Sequence, residues 1–462
     1  MNQAGNQSAL FDYYGKPSFS QAFPLAMQHV VAAIVGCVTP AIIVSGAAGL
    51  NPTDKVFLIQ AALVVAGLAT LLQLFPIGNK NGLHIGAALP VIMGVSFAYV
   101  PSMQAIAGHE SGLGVPMILG AQIVGGVVAI IVGFSIKKIR KLFPPLIAGT
   151  VVFTIGLSLY PTAVNYMAGG AGKPLASEIG KLGFGSWQNW TTALITLAVV
   201  TVLNHFTKGI LKLASILIGV IVGYVVALGF GLVDFSGVAS AGLFQFPTPM
   251  HFGVVFDPSS CIAIGLLFAI NSIQAIGDFS ATTTGSMDRM PEDKELQGGI
   301  VGYGISNIIG AVLGGLPTAT YSQNVGIVVT TKVINRIVLG MAAVILLVAG
   351  LIPKFSAVLT TIPQCVLGGA TITVFASIAM TGIKLVMTED MNYRNTSIVG
   401  LSVALGMGVT QAANSLAAFP DWATTIFGKS PVVVATCVAI LLNVILPRDN
   451  TAAKKNESSN CM

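Results

Sequence analysis

Gln323-Asn324-Val325-Gly326, followed by Thr330-Thr331-Lys332, lies in an apolar segment that opens at Pro317. A primary amide carries two N–H donors and a carbonyl acceptor, so Gln323 can make a two-point contact with a flat heterocycle that alternates N–H and C=O groups. The hydrocarbon core offers such a group no water, and polar clusters with irregular backbone persist there only where they line a protein cavity. This stretch is therefore a candidate substrate site. A second segment broken by Gly86, Pro90 and Gly94 leads into Ser96 and Phe97. Stacking of a base on such a ring contributes about 1–3 kcal/mol. Asp278 follows Gln274 by one helical turn on the same face. An ionisable residue at membrane depth is functional by default. Cation coupling would run through Asp278, either by protonation or by a sodium ion held with oxygens such as those of Ser280 and Thr282, since oxygen-lined sites suit hard cations. Its structural alternative is to brace the first span through His29, Thr282 or Thr283.

The elements that must position these residues are membrane helices. Of 462 residues 54% are hydrophobic and 8% charged, with mean hydropathy +0.85, against about 25% charged in soluble domains. The five cysteines form no CxxC pair and read as small core residues. No Walker A sequence, metal-ligand spacing or catalytic triad pattern is present, so neither an enzyme nor an ATP-driven pump is expected, and no cofactor. Apolar runs near 24–44, 56–75, 83–100, 115–136, 143–160, 190–206, 210–233, 259–277, 298–315, 318–331, 334–352, 355–380, 395–415 and 429–446 suggest an all-α polytopic protein of about fourteen spans. Residues 1–20 lack the features of a cleaved signal peptide. With the N-terminus inside, only Lys55, Lys173, Lys181, Lys354 and Lys429 fall outside, and the positive-inside rule favours both termini in the cytoplasm. The net charge of +6 is then an orientation signal, and no nucleic-acid partner is expected. Fourteen spans divide into seven plus seven, so the second half enters the bilayer inverted, as in secondary transporters with midplane sites on broken helices. The third and tenth spans, both interrupted by Gly or Pro, occupy equivalent places and point at one shared site.

Residues 323–332 match the nucleobase/ascorbate transporter signature, Gln/Glu/Pro-Asn-x-Gly-x-x-x-x-Thr-Lys/Arg/Gly, at every fixed position, including Asn324, Gly326 and Thr331. Gln28-His29 matches that family's Gln-His pair, and Gln274-Ala-Ile-Gly-Asp278 sits where its eighth span carries Glu-Ala-Ile-Gly-Asp. Phe143-Pro144-Pro145 and Val366-Leu367-Gly368-Gly369-Ala370 are similar to further landmarks, so the chain resembles this family over roughly residues 20–446. The resemblance implies a core domain (spans 1–4 and 8–11) that moves against a gate domain (spans 5–7 and 12–14), usually in a homodimer. The corresponding boundaries are a cytoplasmic tail at 1–20, core with the start of the gate at 21–160, gate at 161–255, core at 256–353, gate at 354–446 and a second cytoplasmic tail at 447–462. It implies that Gln323 bonds the purine edge, that Phe97 stacks on its face, that Gln274, Ser322 and Ser96 stand beside it, and that Asn324 holds the break in the tenth span. Relatives with Gln at position 323 tend to carry xanthine, urate or related purines, and those with Glu carry uracil. The expected function is cation-coupled uptake of an oxopurine through the inner membrane, with a proton as the coupling ion.

Two residues depart from the family pattern. Gln274 stands where a glutamate is usual, and Tyr303, a phenol of intrinsic pKa about 10, stands where the ninth span usually has aspartate. The alternatives are a uracil or other nucleobase permease, an uncoupled facilitator, a pore, or an anion carrier of the same architecture, whose site would offer a basic residue or helix N-termini in place of amides. If Gln274 touches the base, Gln274→Glu reorders competition among xanthine, urate, guanine, hypoxanthine, adenine and uracil in cells lacking their own carriers. An unchanged order removes Gln274 from the contact set.

Overall fold

The computed structural model describes residues 9–78, 84–108, 112–136, 144–170, 183–235, 238–239, 241–412, 415–420, 423–424, 427–428 and 430–447. Lys80, the basic cluster 137–141, Phe143, Lys173, Lys181, Lys429 and the basic residues of the C-terminal tail lie outside these ranges. The described chain is predominantly helical: α1 (Phe19–Ala47), α2 (Pro52–Leu74), α3 (Val100–Ala107), α4 (Gly114–Phe134), α5 (Pro145–Met167), α6 (Trp187–Phe206), α7 (Ile210–Leu213), α8 (Ser215–Gly229), α9 (Pro258–Ser286), α10 (Asp293–Val312), α11 (Ser322–Thr331), α12 (Arg336–Gly350), α13 (Pro353–Thr360), α14 (Gln364–Val386), α15 (Tyr393–Gln411) and α16 (Pro431–Ile445). Four two- or three-residue strands, β1 (Ile77–Gly78), β2 (His84–Ile85), β3 (Met93–Val95) and β4 (Thr318–Thr320), pair as β1 with β2 and β3 with β4.

Helix starts follow from local chemistry. The Asn51 side chain accepts the Asp54 N–H at 2.9 Å ahead of Pro52, and Asp257 accepts the Ser260 N–H at 2.7 Å ahead of Pro258. Each pairs a capping acceptor with a proline at the position where its missing N–H costs nothing. The loop before α10 is fastened by Arg289, which pairs with Glu295, and by a capping box between Glu292 and Glu295.

Six helices among the described residues, α1, α2, α4, α5, α9 and α14, are long and apolar enough to cross a bilayer, and α12 with α13, bent by 81°, makes a seventh if taken as one. Several expected spans take a different form, among them the run at 318–331, which is strand to Thr320 and helix only from Ser322. The run at 83–100 is extended and strand-like up to Val95, and its helix begins only at Val100; Gly86, Pro90 and Gly94 disfavour helix throughout it. The run at 355–380 is divided, because Pro363 lies between α13 and α14 and has no N–H to continue a helical ladder.

The helices pack in two groups. In one, α4 lies against α9 and α10, and α12 lies against α1 and α2; in the other, α14 lies against α5, α6 and α8, and α15 packs on α16. Close approach in the second group depends on glycine. A Cβ on Gly156 would sit 2.4 Å from the backbone nitrogen of Ala379, and one on Gly382 would sit 2.2 Å from that of Phe153. Small residues facing each other let helix backbones touch where no hydrophobic effect drives them together. Gly382→Val should therefore separate α5 from α14 at a cost of about 1–3 kcal/mol or more, seen as a lower unfolding midpoint of detergent-solubilised protein. An unchanged midpoint contradicts the packing.

Candidate functional site

The centre of the molecule is an antiparallel contact between β3 and β4, with Met93 opposite Thr320, Gly94 opposite Ala319 and Val95 opposite Thr318. It is lengthened by Tyr321 N–H to Ile92 O at 2.9 Å and Ser96 N–H to Pro317 O at 3.0 Å. Two interrupted segments thus satisfy each other's backbone. Neighbouring helices supply what remains. Thr70 of α2 exchanges hydrogen bonds with both backbone groups of Met93, at 2.9 and 3.3 Å. Gln73 accepts the Ala87 N–H at 2.8 Å, and Asn307 of α10 accepts the Thr318 N–H at 2.8 Å. The Tyr321 hydroxyl donates to Val95 O at 2.8 Å across the face of Gly94, where a Cβ would sit 2.4 Å from the Tyr321 ring. Only glycine leaves that space.

Each strand runs directly into a helix N-terminus. β3 leads through Ser96, whose hydroxyl oxygen accepts the Ala98 N–H at 3.2 Å, into a 3-10 turn at Phe97–Tyr99 and then α3; β4 leads through Tyr321 into α11. The first N–H groups of a helix have no intrahelical partner, so backbone donors gather where the two segments meet.

A cavity with an open mouth lies beside this crossing. One wall carries Ser96, Phe97, Gln274, Thr320, Tyr321, Ser322 and Gln323; the other, from α5 and α14, carries Val152, Ile155, Val374, Ser377, Ile378 and Thr381. All five residues expected to touch substrate, Gln323, Phe97, Gln274, Ser322 and Ser96, line this one cavity. The Phe97 ring meets Phe375 of α14 edge-on, with centroids 5.2 Å apart at 75°. Thr320, Tyr321 and the whole α5/α14 wall were not expected. Thr320 and Tyr321 immediately precede the signature and could have been found by extending it; the hydroxyls of Ser377 and Thr381, one helical turn apart, carry no motif.

The architectural residues separate into those that fasten α11 and those that do not. Asn324 Nδ2 donates to His29 Nδ1 and to His29 O, both at 3.1 Å, tying the first turn of α11 to α1. Thr331 Oγ1 donates to Ile327 O at 2.8 Å and accepts the Val333 N–H at 3.3 Å, closing the far end. Lys332 adopts left-handed backbone as the cap, and its ammonium donates to Gly285 O at the end of α9. Gln28 is half-buried and away from the cavity lining, and a Cβ on Gly326 would meet nothing within 4 Å. Nothing in its surroundings requires glycine there.

Asp278 is 8% exposed, and its carboxylate accepts from Thr320 Oγ1 at 2.5 Å and Ser322 Oγ at 2.8 Å. These partners replace the expected ones. Thr282 Oγ1 donates to the Asp278 backbone carbonyl at 2.8 Å and Thr283 Oγ1 to Phe279 O at 3.1 Å, because a threonine in a helix finds the carbonyl four residues back before anything else. Tyr303, at the other departure from the family pattern, shares a hydrogen bond with Tyr99 just beyond Phe97, and both rings lie against Phe268.

A family model described as a permease family matches residues 20–415. A xanthine permease of Escherichia coli (strain K12) is 32% identical over 97% of this chain and 95% of its own length. A uric acid permease of Bacillus subtilis (strain 168) is 34% identical over 93% of both. The solved transmembrane domain of a cyanobacterium bicarbonate transporter superposes with a TM-score of 0.57 at 16% identity, covering 93% of this chain and 99% of that one, a likeness of fold.

Asn324→Ala removes both bonds to His29, a loss of about 1–3 kcal/mol for groups left unpaired in a buried setting. Uptake should fall at least tenfold while the protein still reaches the membrane. Wild-type uptake by Asn324→Ala overturns the fastening role.

Proposed function

The chain belongs to the permease family, and from that premise we propose that it carries an oxopurine, xanthine or uric acid in the first instance, into the cell. The single observation that bears most on this reading is the convergence of Gln323, Gln274, Phe97, Ser96 and Ser322 on one cavity at the β3–β4 crossing. Two primary amides offer donors and acceptors in the plane of a base. Phe97 offers its face, and the aliphatic side chains of α5 and α14 close the opposite side. The relatives named as xanthine and uric acid permeases cover nearly the whole chain, which supports the purine over uracil.

In the proposed cycle the group containing α1–α4 and α9–α12 acts as core and the group containing α5, α6, α8 and α14–α16 as gate, and their relative movement exposes the cavity to either side. Fourteen segments in a seven-plus-seven inverted repeat accommodate this. The antiparallel meeting of β3 and β4, each followed by a helix, is the arrangement that a pseudo-twofold in the membrane plane would generate. A multi-pass protein of the inner membrane with cytoplasmic termini, working as a homodimer, completes the reading. In support of the sidedness, Asn335 Nδ2 donates to the carbonyls of Ala9, Asp12 and Gly15. The N-terminal segment therefore lies on the same side as Lys332 and Arg336.

Coupling to a proton, or to sodium, runs through Asp278 in this reading, since Gln274 and Tyr303 offer no carboxylate. Its two hydroxyl ligands belong to the segment that lines the cavity, so a change in its charge reaches the substrate site directly. The same two bonds favour a second reading, in which Asp278 is a permanent brace and the protein an uncoupled facilitator. Labelled xanthine uptake should be saturable, displaced by unlabelled purine and abolished as accumulation when the coupling gradient is collapsed, with proton and sodium gradients tested separately. Indifference to both gradients leaves the facilitator, and full accumulation by Asp278→Asn removes Asp278 from the coupling.

A further inference from the structure

Each hydroxyl on the cavity wall has a single proton to give, and most of those protons are already committed. Thr320 Oγ1 and Ser322 Oγ donate to opposite oxygens of the Asp278 carboxylate, at 2.5 and 2.8 Å. On the facing wall Ser377 Oγ donates to Thr373 O and Thr381 Oγ1 to Ser377 O, both at 2.9 Å. The Tyr321 hydroxyl donates to Val95 O at 2.8 Å. A carboxylate can only accept, so while Asp278 is ionised neither Thr320 nor Ser322 has a proton left for a ligand. What these groups can offer the cavity is lone pairs.

We infer that Asp278 is a positioning residue for substrate selection: by holding the protons of Thr320 and Ser322 on its own oxygens, it turns the core-side edge of the cavity into a hydrogen-bond acceptor surface that selects oxopurines by a ring N–H. The inference deepens the oxopurine reading above and rests on it. Donors for the carbonyl oxygens of such a base come from the amides of Gln323 and Gln274 and from the backbone at the start of α11. The complementary ligand is therefore rich in N–H groups. Xanthine carries one more ring N–H than hypoxanthine, which presents a bare ring nitrogen at the position concerned. A ligand with a lone pair against the Thr320 and Ser322 oxygens meets acceptor with acceptor.

Asp278→Asn tests this by reversing one bond. The new amide group can accept from one hydroxyl but must donate to the other, and the hydroxyl that now accepts turns its own proton toward the cavity. Competition for labelled xanthine by xanthine and by hypoxanthine is measured on the purified full-length protein in lipid nanodiscs. The ratio of the two inhibition constants should move toward hypoxanthine by about tenfold, the worth of one hydrogen bond in a buried site. Ser322→Ala, at an exposed side chain, should move the ratio in the same direction by removing one acceptor, and it decides the matter if Asp278→Asn does not fold. A wild-type ratio in the folded variant or variants overturns the inference, even if both bases bind more weakly, because a brace would weaken them alike. Absence of saturable purine binding by the wild-type protein instead overturns the oxopurine reading, and this inference falls with it.

Discussion

The antiparallel contact between Met93–Val95 and Thr318–Thr320 answers a requirement that no side chain could meet alone. In hydrocarbon an unpaired backbone N–H or C=O costs several kcal/mol, so a helix can be interrupted at mid-membrane only if its freed groups find partners within the protein. Here each interrupted segment is the partner of the other. Thr70, Gln73, Asn307 and Tyr321 take up the residue of unsatisfied groups on either side. Thr70 and Gln73 of α2 and Asn307 of α10, buried polar residues in apolar helices, thus serve this crossing. The irregular backbone then presents helix N-termini and short polar side chains to the cavity.

From this crossing the cavity inherits its asymmetry. The wall at the crossing is polar and hydrogen-bonded, with Asp278, Thr320 and Ser322 forming one network and Asn324 with His29 another. The wall from α5 and α14 is mostly aliphatic, and the helices that carry it are pressed together through Gly156 and Gly382. Tight helix packing behind it leaves that wall smooth and short of hydrogen bonds to the facing side. The polar wall suits the task of keeping donors and acceptors in register.

The replacement of acidic residues by Gln274 and Tyr303 does not leave the positions idle. Gln274 lines the cavity, and Tyr303 bonds Tyr99 in the turn that carries Phe97. Gln274 presents an amide to the cavity and Tyr303 a hydrogen-bonded phenol, and neither carries a carboxylate. Asp278 is an acidic group in contact with the crossing, and its bonds to Thr320 and Ser322 link its state to the geometry of the segment that leads into α11.

The sequence by itself determined the membrane class, from hydropathy and scarcity of charge, and it located both breaks, since glycine, proline and a mid-bilayer amide act through their own conformational and solvation preferences. Through the resemblance of residues 323–332 and 274–278 to a family pattern it also named Gln323, Phe97, Gln274, Ser322 and Ser96, which line one cavity. It read the segment at 83–100 as a span and missed its extended backbone, because apolar content is the same for a strand and a helix, and the register of β3 on β4 is a relation between residues more than two hundred positions apart. Only the tertiary structure gave Asp278 its partners. A carboxylate on a helix has candidate ligands within one turn, yet here Thr282 and Thr283 are taken by their own helix carbonyls, and the bonds go to Thr320 and Ser322, forty-two and forty-four residues away. The facing wall of α5 and α14 likewise carries no motif, since an aliphatic surface is defined by what it packs against and not by its own residue types.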